Sequence, residues 1–102
     1  MASNLSVFRL DGVEHTFEAV QPDLSGKDVQ RFSYGEEPEV IAELALADGS
    51  AVEIHGYAEH WRKEEVAVGW TDDDAQLFHA WIPAAKVRRP SAGEWHGNFV
   101  SR

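Results

Sequence analysis

The sequence predicts an all-β protein: a small barrel or a strongly bent antiparallel sheet of five to seven strands. Three observations predict it. Apolar and polar residues alternate along most of the chain, with no sustained helical period. Asp-Gly pairs at Asp11-Gly12 and Asp48-Gly49 interrupt the alternation where hairpins require positive φ. At 102 residues the chain has enough apolar surface for one core and not for two.

From Ser6 to Phe17 the run splits into two strand-like halves around Asp11-Gly12. A two-residue loop there sets Leu10 opposite Val13, Phe8 opposite His15 and Arg9 opposite Glu14, giving a mostly apolar face and a cross-strand ion pair. At the second Asp-Gly a two-residue loop would oppose Leu44 to Glu53 and scatter the apolar set over both faces. A three-residue loop, Ala47-Asp48-Gly49 with glycine left-handed, instead sets Leu44 against Val52 and Ala42 against Ile54. A third hairpin joins residues 65–71 to 77–82 through Asp72-Asp73-Asp74-Ala75-Gln76. A five-residue loop pairs Trp70 with Phe78, Val68 with Ala80 and Val66 with Ile82 as one core face. Mutual repulsion places the three aspartates at a solvated tip.

Residues 21–39 hold Pro22, Gly26, Gly35 and Pro38 and read as connection, with Ser25 and Asp28 a minimal start for one or two helical turns. After Pro83, Ala84-Ala85-Lys86 suits a single tight turn. Beyond Pro90 the chain is polar, with Trp95 and Phe99 its large apolar groups, and reads as a frayed tail. The organisation is therefore one β domain over residues 1–90, made of the hairpin 6–17, the connection 21–39 and the core 40–90, followed by a tail at 91–102.

Composition excludes several classes of function. The absence of cysteine removes a disulfide scaffold, a thiolate zinc site and a cysteine nucleophile together. No apolar run approaches the roughly 20 residues of a membrane span. The start Met1-Ala2-Ser3-Asn4 lacks the charge and apolar stretch of a signal peptide, so a cytoplasmic protein without membrane contact is expected. With 18 acidic against 9 basic side chains the formal charge is -9, which opposes binding along a nucleic-acid backbone unless the cations gather on one face.

Five histidines raise the question of a metal. By strand parity His55 shares a face with Glu53, Tyr57 and Glu59 while His60 falls on the other, and no His-x-x-x-His pair occurs. Uniting His55, Glu59 and His79 requires their strands to be adjacent in one particular register. Neither a Gly-x-Ser-x-Gly elbow nor a phosphate-cradling glycine loop is present. A non-enzymatic protein without metal or cofactor is expected.

The aromatic residues say more. With Val66, Val68 and Trp70 inward, Leu77, His79 and Trp81 alternate outward; with Val52, Ile54 and Ala58 inward, His55, Tyr57 and Trp61 point out. A patch of Tyr57, Trp61, His79 and Trp81 has the flat, polar-tipped rings enriched at binding surfaces. The competing expectation is that the connection or the tail covers this face.

The string Ala80-Trp81-Ile82-Pro83-Ala84-Ala85-Lys86-Val87 resembles the closing element of SH3-like barrels, in which a Gly-aromatic-aliphatic-Pro strand end leads through a 3-10 turn into a last strand beginning Tyr-Val. Trp81, Ile82, Pro83 and Val87 match; Ala80 stands for the glycine and Lys86 for the tyrosine. The resemblance extends loosely over residues 40–90 and implies a barrel with a short 3-10 turn after Pro83. In peptide-binding SH3 domains the proline and tyrosine at these positions help form a groove for proline-rich ligands. With Lys86 at the tyrosine position and no Ala-Leu-Tyr-Asp-Tyr string before it, the resemblance carries over architecture rather than that ligand. It adds Pro83 and Lys86 to Tyr57, Trp61, His79 and Trp81 as candidate binding residues.

The leading functional expectation is a non-catalytic protein-binding or adaptor module acting through the aromatic face on a protein partner the sequence does not identify. The second is an acidic inhibitor or immunity-type protein that neutralises a basic partner, docking through Glu36, Glu37, Glu39, Asp72, Asp73 and Asp74. The third is a small metal- or histidine-dependent enzyme built on His55, His79 and a carboxylate such as Glu59.

Overall fold

The computed structural model describes residues 5–18, 30–32 and 35–97. Its strands are β1 (Leu5–Leu10), β2 (Val13–Glu18), β3 (Gln30–Arg31), β4 (Glu39–Ala45), β5 (Ala51–Arg62), β6 (Glu65–Thr71), β7 (Leu77–Pro83) and β8 (Val87–Arg88). A single 3-10 turn, Ala84–Lys86, follows Pro83 as expected. Among the described residues there is no α-helix, and no helix is long and apolar enough to cross a membrane. The expected helix start at Ser25 and Asp28 lies outside the described residues.

All three hairpin registers match the alternation argument. Leu10 pairs with Val13, Phe8 with His15 and Arg9 with Glu14. Leu44 pairs with Val52 and Ala42 with Ile54. The loop between them closes with Leu46 N–H donating to the Ser50 carbonyl at 2.8 Å and Gly49 at φ +89°. Trp70, Val68 and Val66 oppose Phe78, Ala80 and Ile82.

Strand order in the main sheet is β7-β6-β5-β4-β8, with β3 paired to β5, while β1 and β2 form a separate two-stranded sheet. The chain crosses from β7 at one end of that order to β8 at the other through three residues of 3-10 turn, which advance only about 6 Å. The two ends of the sheet must therefore lie near each other. The sheet is bent almost into a barrel but does not close, and the first hairpin flanks it.

Bending is concentrated in β5, whose first half pairs with β4 and whose second half pairs with β6, Tyr57 meeting Glu39 on one side and Gly69 on the other. Gly56 permits it: a Cβ there would run into the Gly69 carbonyl and crowd the Trp70 Cβ. The concave side holds the core of Val40, Ala42, Leu44, Ile54, Ala58, Val68, Trp70, Ala80 and Ile82. Phe8 and Phe17 of the first hairpin close over it, their rings 5.4 Å from the Trp70 ring in both cases. Such aromatic pairs add about 0.5–1.5 kcal/mol each beyond their buried area.

One expectation about strand faces is corrected. Pairing between β5 and β6 runs Ala58 with Val68, then His60 with Ala67, so Glu59 is an extra residue in a β-bulge. Beyond the bulge the side-chain parity reverses. His60 joins Ala67 and Trp81 on the outer face, and Trp61 pairs with Val66 on the core side.

Candidate functional site

The outer face of the sheet is built from His55, Tyr57, His60, Ala67, Gly69, His79 and Trp81, brought into line by the pairing of Tyr57 with Gly69 and Gly69 with His79. Gly69 has no side chain, and the carboxylate of Glu59 lies over it, 3.1 Å from His79 Nε2. Trp81 lies under Arg62, whose guanidinium carbon is 4.3 Å from the ring centroid, and Arg62 also pairs with Glu65 at 2.8 Å.

The chain after Pro90 covers the other half of this face. Trp95 stands against Tyr57 with ring centroids 5.2 Å apart, and its Nε1–H donates to the Gly56 carbonyl at 3.1 Å. The His96 backbone N–H donates to His55 Nδ1 at 2.8 Å, and His55 Nε2 lies 2.9 Å from Glu53. Arg88 grips Glu94 at 2.8 and 2.6 Å, and the Ser91 N–H donates to the same carboxylate at 2.8 Å. The Arg88 guanidinium first, and the Ser91 N–H second, pull the Glu94 carboxyl down to about 2. Residues 91–97 are thus docked by specific contacts instead of frayed, and Tyr57 lies beneath them.

At the open seam of the sheet lies a groove of about 670 Å³. One wall is β7 from Ala80 to Pro83; the other is β4 from Glu43 to Ala45 with the turn after it. Phe17, Glu18, Arg62, Glu65 and Lys86 complete the lining. Of the candidates from sequence, Trp81, Pro83 and Lys86 meet in this groove, and His79 precedes them on the same strand. Trp61 lies elsewhere, its ring 4.4 Å from Phe32 in a smaller cavity of about 170 Å³ with Arg88 and Arg89 at its lip. Arg62 and Glu43 are groove residues that sequence reasoning did not single out. The Glu59 bulge, which carries no glycine or proline to announce it, turns Arg62 onto the Trp81 face.

The expected solvated aspartate tip is corrected at Asp72, while Asp73 and Asp74 are exposed as expected. Asp72 is only 3% exposed, and its carboxylate accepts the N–H groups of Arg9 at 3.2 Å and of Asp74 and Gln76 at 3.0 Å. Asp73 accepts the N–H groups of Asp11 and Gly12 at 3.1 and 2.8 Å. The Asp72 carboxylate satisfies part-buried donors that would otherwise lack partners, and Asp73 ties down the exposed Asp11-Gly12 turn, which outweighs their mutual repulsion. Asp74, Glu36 and Glu39 are exposed, while Glu37 accepts the Gly35 N–H at 2.9 Å.

His79 meets Glu59, whereas His55 is held by Glu53 and the His96 N–H. Among the described residues no group of three or more histidine and acidic side chains is placed to hold a metal ion. No protein-family model matches the chain, and comparison with curated proteins and with solved structures gives no match.

Proposed function

We propose that the chain is a non-catalytic protein-binding module that takes its partner at the seam groove around Trp81. The observation that carries this reading is the groove itself: about 670 Å³ of open space between two strand edges, with Trp81, Pro83 and Lys86 among its lining residues. An indole already flattened under Arg62 offers area to a partner with little rotamer entropy left to lose. The strand, 3-10 turn and strand from Trp81 to Val87 support the likeness to SH3-like barrels, with Lys86 substituting a cation where a tyrosine would line the ligand groove. A cysteine-free chain fits a cytoplasmic place of work.

The acidic-inhibitor reading keeps the charge of -9 in its favour, but Asp72 is buried, which leaves docking to Asp73, Asp74 and the glutamates at 36, 37 and 39. Salt separates the two readings. Binding through the groove depends on Trp81 at both about 50 and about 500 mM salt, whereas charge docking is lost at the higher salt and is indifferent to Trp81→Ala.

Capture of a partner from native extract by wild type, Trp81→Ala and Trp61→Ala tests the proposal. Truncating a central aromatic anchor costs about 2 kcal/mol or more, roughly 30-fold in affinity. Trp81→Ala is expected to lose the partner and Trp61→Ala to keep it. A folded Trp81→Ala chain that binds as tightly as wild type defeats the reading.

A further inference from the structure

Two features of the groove define what fits it. Its β7 wall is the end strand of the sheet, and among the described residues no strand pairs its outer edge. Free edges in stable proteins are normally protected by lysine, a bulge, a proline or a covering element. Among the described residues the edge from Leu77 to Ile82 carries no lysine, bulge or covering strand; its register with β6 is regular throughout, and a proline stands only at its last position, Pro83. On the opposite wall β8 pairs with β4 only at Ile41 and Ala42, so from Glu43 to Ala45 that side of β4 has no strand partner among the described residues. Unpaired backbone groups on both walls call for a ligand that is itself backbone.

The side chains add chemistry. Inward positions of the groove are apolar, with Phe17, Leu44 and Ile82 beneath it. Its rim carries the carboxylates of Glu18, Glu43 and Glu65, and its two cations are already engaged, Arg62 by Glu65 at 2.8 Å and Lys86 by Glu43 at 3.5 Å. The rim is therefore net acidic within a chain of charge -9.

We infer that the partner binds as an added β-strand: an extended segment pairs with the outer edge of β7, its alternate apolar side chains entering the groove and its intervening cationic side chains meeting Glu18, Glu43 and Glu65. This rests on the protein-binding reading and names the ligand of that same site. Strand addition draws affinity from main-chain hydrogen bonds and specificity from the alternating side chains. Glu43 and Glu65 already face Lys86 and Arg62, so the cationic residues of the ligand complement a rim that is net negative by one charge and add to those pairs at Glu18. A second copy of the chain fits less well, because two bodies of charge -9 repel.

The probe is an octapeptide alternating lysine and valine, titrated against the whole chain, with amide exchange read residue by residue. At saturation the alternate amides of Leu77–Ile82 that face away from β6 are expected to slow at least tenfold. Replacing the lysines by glutamate is expected to weaken binding at least tenfold. N-methylating alternate peptide nitrogens is expected to abolish binding in one phase of the alternation and spare it in the other, because an edge strand pairs through alternate residues. Equal binding of both methylated peptides, or protection confined to residues outside Leu77–Ile82, overturns strand addition; so does sedimentation showing that the edge is closed by a second copy. Failure of the parent reading looks different. A partner that depends on Trp81 but is not displaced by the peptide overturns only the strand mode, whereas a partner indifferent to Trp81→Ala removes the groove as a site altogether.

Discussion

The buried carboxylate of Asp72 accepts the backbone N–H of Arg9 at 3.2 Å across a separation of 63 residues, tying the β6–β7 loop to the first hairpin. The reverse bond, Asp73 N–H to the Arg9 carbonyl at 2.8 Å, completes the clamp, and Ala47 N–H to the Thr16 carbonyl at 2.9 Å fastens the other side of the hairpin. Phe8 and Phe17 are thereby held over Trp70. Asp72→Ala leaves the N–H groups of Arg9, Asp74 and Gln76 without the carboxylate and is expected to destabilise the fold by about 2–4 kcal/mol. Asp74→Asn, at an exposed position, is expected to stay within about 0.5 kcal/mol. Urea melts of the two variants check this.

Among the described glycines, Gly56→Ala is expected to be the costliest substitution. Its Cβ meets backbone, the Gly69 carbonyl, and not the flexible end of a side chain, so the bend of β5 must open. A loss of about 3 kcal/mol or more, or failure to fold, is expected. Gly69→Ala meets only the movable Glu59 carboxylate and is expected to cost less while breaking the contact with His79. Thermal melts of the two variants order them.

Docking of residues 91–97 is expected to depend on pH through Glu94. Its carboxyl is lowered from 4.5 to about 2 in the folded chain, so the contribution is fully present above the unfolded value and is lost as pH falls from about 4.5 through about 2. Trp95 fluorescence is expected to report release of the segment over that acid range. Glu94→Gln is expected to loosen the segment at neutral pH and to flatten the acid response.

The parts of the fold legible in the sequence are those fixed locally. Asp11-Gly12, Ala47-Asp48-Gly49 and the five-residue loop each set a register because only one pairing puts the apolar set on one face. What stayed hidden depends on partners far along the chain. Nothing local marks Glu59 as a bulge, so parity counting carried Trp61 to the Trp81 face. Gln30–Arg31 pairs with His60 and Trp61 without the length or alternation of a recognisable strand. Polarity hid the docking of Trp95, and charge repulsion hid the burial of Asp72, whose hairpin donors no local pattern reveals. Of the site, Trp81, Pro83 and Lys86 were legible through the strand-end string. Glu43 and Arg62 were not, because the seam exists only once the sheet bends.

Arg62 and Trp81 are expected to act as a unit. In a double-mutant cycle of Arg62→Ala and Trp81→Ala on folding stability, the coupling is expected at about 0.5–1 kcal/mol, as for a partly exposed cation–aromatic contact. Arg62→Ala alone is expected to weaken partner binding by freeing the ring to move, without abolishing it.

The most direct test of the binding account is amide shift mapping of the chain with the partner that the wild type captures. The account predicts the largest changes at Ala80–Ile82 and at Glu43–Ala45, facing each other across the seam, with Trp95 and Asp72 undisturbed. Changes centred on Phe32 and Trp61, or on Tyr57 after release of Trp95, with β7 unchanged, would contradict it.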